Sequence, residues 1–145
     1  MRRAVILSLI LMPLLVTKAF ADTSIEAEVD KRSLTAGQAL TYKLTIVTNE
    51  KEIPRPELPK FSGFKVVSTA QSSTVSYEKD GIKTVITYIF ALLAVEAGKF
   101  KIEPAVIKIK NEKFSTAEFE IEVAPGQYQP EKDLPQTQGQ PRITL

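Results

Sequence analysis

Ser76-Tyr-Glu-Lys-Asp80-Gly81-Ile-Lys-Thr-Val85-Ile-Thr-Tyr-Ile-Phe90-Ala-Leu-Leu-Ala-Val95-Glu-Ala-Gly98-Lys-Phe100-Lys-Ile-Glu-Pro104 is the stretch that decides the fold. Asp80-Gly81 sits between two β-rich runs. It predicts a two-residue hairpin with a type I′ turn, which needs positive φ at both central positions. The long strand that follows, Ile82 to Val95, carries no charge after Lys83. Ile82, Thr84, Ile86, Tyr88, Phe90 and Leu92 share one face at period two. The other face begins polar at Lys83 and Thr87 and turns apolar at Ile89, Ala91, Leu93 and Val95. A strand apolar on both faces is expected to be central and covered on both sides, at least locally.

Upstream, Ile25, Ala27 and Val29 alternate with Glu26, Glu28 and Asp30, as in a half-buried first strand. Ser33 to Gln38 is expected to be a turn, with Gly37 at positive φ. Ala39 to Thr48 forms a second strand, with Leu40, Tyr42, Leu44 and Ile46 inward. Asn49 to Pro59 holds Pro54, Pro56 and Pro59, none of which can donate to a ladder, so it reads as an extended crossing or a bulged edge. Ser68 to Val75 is rich in Ser and Thr, and its register is weakly specified. Val75 to Glu78 is expected to pair with Ile82 to Val85.

Downstream, Glu96 to Lys99 reads as a turn, followed by Phe100 and Ile102. Val106 to Lys110 makes a strand with Ile107 and Ile109 inward. Asn111-Glu112-Lys113 is read as a hairpin loop, and Phe114 to Val123 as the closing strand. No helical period occurs past residue 21. The fold class is therefore all-β: an antiparallel immunoglobulin-like β-sandwich of about seven strands, preceded by a signal peptide and followed by a disordered tail.

The domain limits follow from composition. Arg2 and Arg3, the apolar run Ala4 to Val16 and the small residues at Ala19 and Ala21 form a secretory signal peptide over 1–21. The run is shorter than the roughly 20 residues that span a bilayer, and no Cys follows it to take a lipid. Residues 22–124 form the sandwich. Residues 125–145 carry four Pro, five Gln and two Gly and read as a disordered linker or tail. After cleavage the chain has no membrane tether, which predicts a periplasmic or secreted protein, membrane-anchored if it is a fragment of a longer one. Cleavage also removes three basic residues and no acids, so 19 Lys+Arg against 17 Asp+Glu becomes 16 against 17. The basic balance belongs to the targeting segment and predicts no nucleic-acid partner.

The chain has no Cys and no His. It must be held by its core rather than by disulfides, and it lacks the commonest general base and transition-metal ligand. Glu118, Glu120 and Glu122 lie about 7 Å apart at two-residue steps, near an inverting glycosidase spacing, but also as on any solvated strand face. Asp30, Asp80 and Asp133 stand apart, so no calcium loop is indicated. Ser68, Ser72 and Ser73 sit in no motif that would make a Ser–Lys dyad. Lys99, Lys101, Lys108, Lys110 and Lys113 read as outward charges that protect sheet edges. The expectation is a non-enzyme with no catalytic, cofactor-binding or metal-binding residues and no cofactor.

Several segments in order resemble the N-terminal domain of the BatD family, the bacterial oxygen tolerance or aerotolerance proteins. They are Ile25 to Asp30, the Leu34-Thr-Ala-Gly37-Gln38 turn before Leu40 to Leu44, Pro54 to Leu58 and Phe61-Ser-Gly-Phe64-Lys-Val66. The Asp80-Gly81 hairpin follows, then Tyr88 to Leu92, and Ala97-Gly98-Lys-Phe100-Lys-Ile102-Glu-Pro104-Ala-Val106. Ser115-Thr116 and Phe119 to Val123 close the series. The resemblance spans roughly Ser24 to Ala124. It implies a periplasm-facing immunoglobulin-like module, set beside von Willebrand A-domain membrane proteins and a MoxR-type ATPase in stress tolerance. It implies no catalytic residue.

The leading expectation is an exported, non-catalytic protein-interaction module of the envelope, with Ile89, Ala91, Leu93 and Val95 as the contact candidates, although burial under the opposite sheet or a loop is the favoured account of those four residues. The alternative is a carbohydrate- or small-ligand-binding sandwich module, which would need an aromatic surface. Tyr42, Tyr77, Tyr88 and Tyr128 are the tyrosines available for one.

Overall fold

The computed structural model describes residues 23–126. The signal segment expected at 1–21 and all but the first two residues of the expected tail at 125–145 lie outside the described residues. Among the described residues nine strands form: β1 Thr23–Val29, β2 Ser33–Thr35, β3 Ala39–Thr48, β4 Phe64–Glu78, β5 Gly81–Ala94, β6 Gly98–Ile102, β7 Val106–Ile109, β8 Glu112–Ser115 and β9 Phe119–Ala124. One sheet runs in the order β1-β3-β5-β4 and a second in the order β2-β9-β6, and β7 and β8 make a separate hairpin. The all-β immunoglobulin-like expectation holds, with two more strands than expected.

Alternation places the core. Leu40, Tyr42, Leu44 and Ile46 of β3 are all buried, as are Phe90, Leu92 and Ala94 of β5. All of these but Ile46 meet Ile102 of β6 and Phe119, Ile121 and Val123 of β9 in one cluster. A smaller cluster joins Ile46 and Ile86 to Ile107 and Ile109 of β7. The two layers thus close on β3 and β5, which carry the longest inward rows. Burying a side chain of this size contributes about 1.5–3 kcal/mol each, and in a chain without cysteine that burial must hold the fold.

The first strand changes sheets. β1 pairs antiparallel with β3, whereas β2, three residues further on, runs parallel to β9 with Leu34 opposite Val123. Asp30 stitches the crossover. Its backbone N–H donates to the Thr41 carbonyl at 3.1 Å, and its Oδ1 accepts the Thr41 N–H at 2.8 Å. Ser33 to Thr35 is therefore strand rather than turn, and the turn is confined to the residues after it, with Gly37 at φ 91° as expected. The closing segment also divides. Thr116 breaks Phe114 to Val123 into β8 and β9 by accepting the Ala105 N–H on its hydroxyl at 2.9 Å and donating its own N–H to the Ala105 carbonyl at 3.0 Å.

Both hairpins differ from expectation in the frame of the turn. Glu78 pairs with Gly81, so the loop residues are Lys79 and Asp80. Neither has positive φ, and Gly81 takes φ 130°. This is the sense of a type I turn followed by glycine, not type I′. The I′ requirement is met instead between β7 and β8. Ile109 pairs with Glu112, and the loop residues Lys110 and Asn111 have φ of 47° and 65°. The loop thus lies one residue before the expected Asn111-Glu112-Lys113. Asparagine tolerates this region because its short polar side chain can bond locally. The proline-rich crossing behaves as expected: it contributes no named strand, and one bridge pins it, with Glu57 and Val106 exchanging N–H···O bonds of 2.7 and 3.0 Å.

Candidate functional site

The candidate surface is the outer face of β5 with its neighbours β3 and β4. In antiparallel pairs, residues directly opposite point to the same face, so the register builds the surface row by row. Leu93 lies between Ala39 and Lys65, Ala91 between Thr41 and Ser68, and Ile89 between Lys43 and Ala70. Thr87 is flanked by Thr45 and Ser72, and Val85 by Val47 and Thr74. Small side chains flank Ala91 and Thr87, while Lys43 flanks Ile89 and Lys65 flanks Leu93.

β5 is central, but it is not covered on both sides. Ile89 is 39% exposed, Ala91, Leu93 and Val95 are half-buried, and none of the four belongs to either core cluster. The expectation of cover on both faces fails because the second layer packs only on the even-numbered face. The lateral shielding by β3 and β4 is what half-buries the odd one. On the β1 side the band ends in charge, where Lys43 makes an ion pair with Glu28. That carboxylate raises the Lys43 ammonium above its ordinary pKa by hydrogen bonding and charge attraction.

β4 extends the surface beyond the second layer. All of its residues are exposed except Phe64, which is half-buried. Phe64 packs edge-on against Phe100 of β6 with ring centroids 5.7 Å apart, which anchors the start of the strand to the second sheet. Past that anchor, Val66, Val67, Val75 and Tyr77 stand exposed, Tyr77 at 84%. A bulge between Val66 and Ser68 shifts the register by one residue.

The residues weighed for chemistry are dispersed. Glu120 and Glu122 of β9 lie opposite Lys101 and Lys99 of β6, and Glu118 takes Lys101 at 3.3 Å. These are opposite charges across a strand pair, each worth a few tenths of a kcal/mol up to about 1 kcal/mol, and they account for both the acidic row and those two lysines. Lys110 pairs with Glu50 at 2.7 Å beside an open cleft of 1020 Å³ between Lys108 and the 49–54 crossing. Ser68, Ser72 and Ser73 lie exposed on β4 without a hydrogen bond to a lysine. Among the described residues no group of three acids gathers as for a metal.

Among the described residues the tyrosines form no aromatic platform. Tyr42 is fully buried in a ring cluster with Phe61 and Phe119, at centroid distances of 5.3 and 6.3 Å. Tyr88 is half-buried against the core, Tyr77 stands apart on β4, and Tyr128 lies outside the described residues. The Tyr42 hydroxyl is buried with no hydrogen-bond partner. Burial pushes its pKa up, while the Thr116 hydroxyl nearby opposes this weakly. The Thr116 hydroxyl accepts the Ala105 N–H and donates to the Ala117 carbonyl, and the Tyr42 hydroxyl makes no hydrogen bond to it.

The family comparison covers this whole layout. A family model described as the BatD DUF11-like domain matches residues 27–123, from β1 to the last inward residue of β9. The chain belongs to the BatD family. The match takes in β5, the bulged β4 and the switch from β1 to β2, so the candidate surface is part of the BatD domain itself. No curated protein and no solved structure matches the chain.

One structural determinant escaped the sequence reading. Gly63, in the Phe61-Ser-Gly-Phe64 segment, has φ +83°, and a Cβ there would lie 2.3 Å from the Phe100 ring. Its carbonyl accepts the Val95 N–H at 3.2 Å. The glycine lets the chain pass close over Phe100 as it enters β4. The only advance signal was the Ser-Gly pair before a strand.

Proposed function

We propose that this BatD-family chain is an exported, non-catalytic protein-interaction module of the bacterial envelope. Its contact surface is the outer face of β5, centred on Ile89. The observation that carries the proposal is an apolar row, Ile89, Ala91 and Leu93 with Val95 just past the strand end, that belongs to neither core cluster yet follows a central strand. Apolar residues gathered on one exposed face mark interaction sites more often than isolated ones do. Export rests on the 1–21 segment, and family membership supports an envelope setting. The partner class is a von Willebrand A-domain envelope protein acting with a MoxR-type ATPase in stress or oxygen tolerance.

The test is direct binding of the purified mature chain to the von Willebrand A domain of the same envelope, by interferometry. Ile89→Lys is expected to weaken binding about tenfold or more, since it sets a charge in the contact centre, while Lys108→Ala leaves it unchanged. Circular dichroism checks that both variants fold. Absence of binding, or binding indifferent to Ile89→Lys, overturns the proposal.

A further inference from the structure

The free edge of β4 is the most unusual feature of the molecule. β4 is 15 residues long, against 7 for β1 at the other edge of the same sheet. Among the described residues nothing pairs with its outer side. From Val66 to Tyr77 it holds no charge, no proline and no glycine. The other edges are guarded: β1 carries Glu26 and Glu28, β6 carries Lys99 and Lys101, and β2 is only three residues long. Charges and short length are how sheets avoid pairing with other chains. Between its end charges, Lys65 and Glu78, the bulge at Val66/Ser68 is the one such device on β4, and it sits at one end.

We propose that β4 pairs antiparallel with β4 of a second copy of this chain, joining two four-stranded sheets into one of eight. The occupant is a second copy because the strand complements itself in one register. A two-fold axis perpendicular to the sheet keeps each residue on its own face, so only residues of the same face can meet. Facing is fixed by pairing with β5. Tyr77, Val75, Ser73, Gln71 and Thr69 oppose even-numbered residues of β5, and so does Val66 on the far side of the bulge.

Placing Ser72 on the axis sets Ser73 against Gln71 of the second copy and Val75 against Thr69. Skipping the bulged Val67 then sets Tyr77 against Val66, on the same face, and Glu78 against Lys65. The bulge that interrupts the register with β5 is what brings the end charges into line. Lys65 makes no ion pair among the described residues, and Glu78 has only Lys83, at a loose 3.8 Å. No other axis position on β4 brings Lys65 opposite Glu78. The dimer therefore gains a row of backbone hydrogen bonds, two Tyr–Val contacts and two ion pairs, all from groups exposed in the single chain. This edge is separate from the β5 face, and the inference stands whether or not that face binds a partner.

Sedimentation equilibrium of the full mature chain tests it. The expected result is a reversible monomer–dimer equilibrium. Ser72→Lys, which sets two like charges opposite each other on the axis, weakens it up to about fivefold. Lys65→Glu weakens it as well, and the charge swap Lys65→Glu with Glu78→Lys restores it. Because the chain has no cysteine, Ser72→Cys is expected to cross-link into a disulfide dimer on mild oxidation, while Lys99→Cys on β6 does not. Circular dichroism and urea unfolding show whether each variant folds, and Ile89→Lys is expected to leave the dimer intact. A monomer at all concentrations up to about 0.5 mM, which would put any dimer weaker than roughly millimolar, overturns the inference. So does a dimer indifferent to Ser72→Lys, or a monomer whose β4 amides are already protected from exchange by another occupant.

Discussion

Tyr42 stands at the centre of the core with every contact satisfied except its hydroxyl. Removing an unpaired buried hydroxyl costs nothing in hydrogen bonding and removes a desolvation penalty, so Tyr42→Phe is expected to stabilise the fold by about 1 kcal/mol. The same substitution changes the alkaline limit. Burial raises the Tyr42 pKa above its ordinary 10.0. A group raised in the folded state keeps its full contribution below the unfolded value and loses it as pH climbs through the folded one. Urea midpoints should therefore fall more steeply above pH 10 in the wild type than in Tyr42→Phe, a difference the other tyrosines and lysines cancel out of. Gly63 presents the opposite case. A side chain there meets both an unfavourable φ and the Phe100 ring. Gly63→Ala is expected to cost about 2–4 kcal/mol, and adding Phe100→Ala should make the pair non-additive, because only the φ penalty then remains at Gly63.

At the level of the element, the inward rows were legible because period two leaves no choice. Leu40, Tyr42, Leu44 and Ile46 could face only one way once any one of them was buried. The turns were less legible. Asp80-Gly81 and Lys110-Asn111 are both plausible positive-φ pairs, and the frame was settled by which strand residues end up opposite each other: Glu78 with Gly81, and Ile109 with Glu112. The face of β5 was misread for a related reason. Period two says that Ile89 and Leu93 share a side, but whether another layer reaches that side depends on the reach of β6 and β9, which no local pattern records. The three residues of β2 were too few to announce a parallel partner. A further prediction belongs here. Asn111→Ala puts an ordinary side chain at φ 65° and should cost about 1 kcal/mol, read as a lower thermal midpoint with the β-sheet circular dichroism unchanged.

At the level of the whole molecule, the crossover between β1 and β2 sets where the chain goes in and out. β1 runs from the Thr48 end of β3 towards Tyr42, and β2 continues to the end where Gly37 donates to the Ala94 carbonyl. β9 runs parallel to β2 and finishes at that same end, with Ala36 donating to the Ala124 carbonyl at 2.9 Å. The described chain thus enters at one pole of the sandwich and leaves at the other. Tension applied between Thr23 and Ala124 would fall along the strands, across the β2–β9 and β1–β3 hydrogen bonds together. Bonds loaded in that direction must slide as a group instead of opening one after another. The crossover from β1 to β2 therefore places both end strands in shear, and forced extension of residues 23–124 is expected to break them in one step at higher force than peeling would, a difference that single-molecule pulling from other attachment points would read.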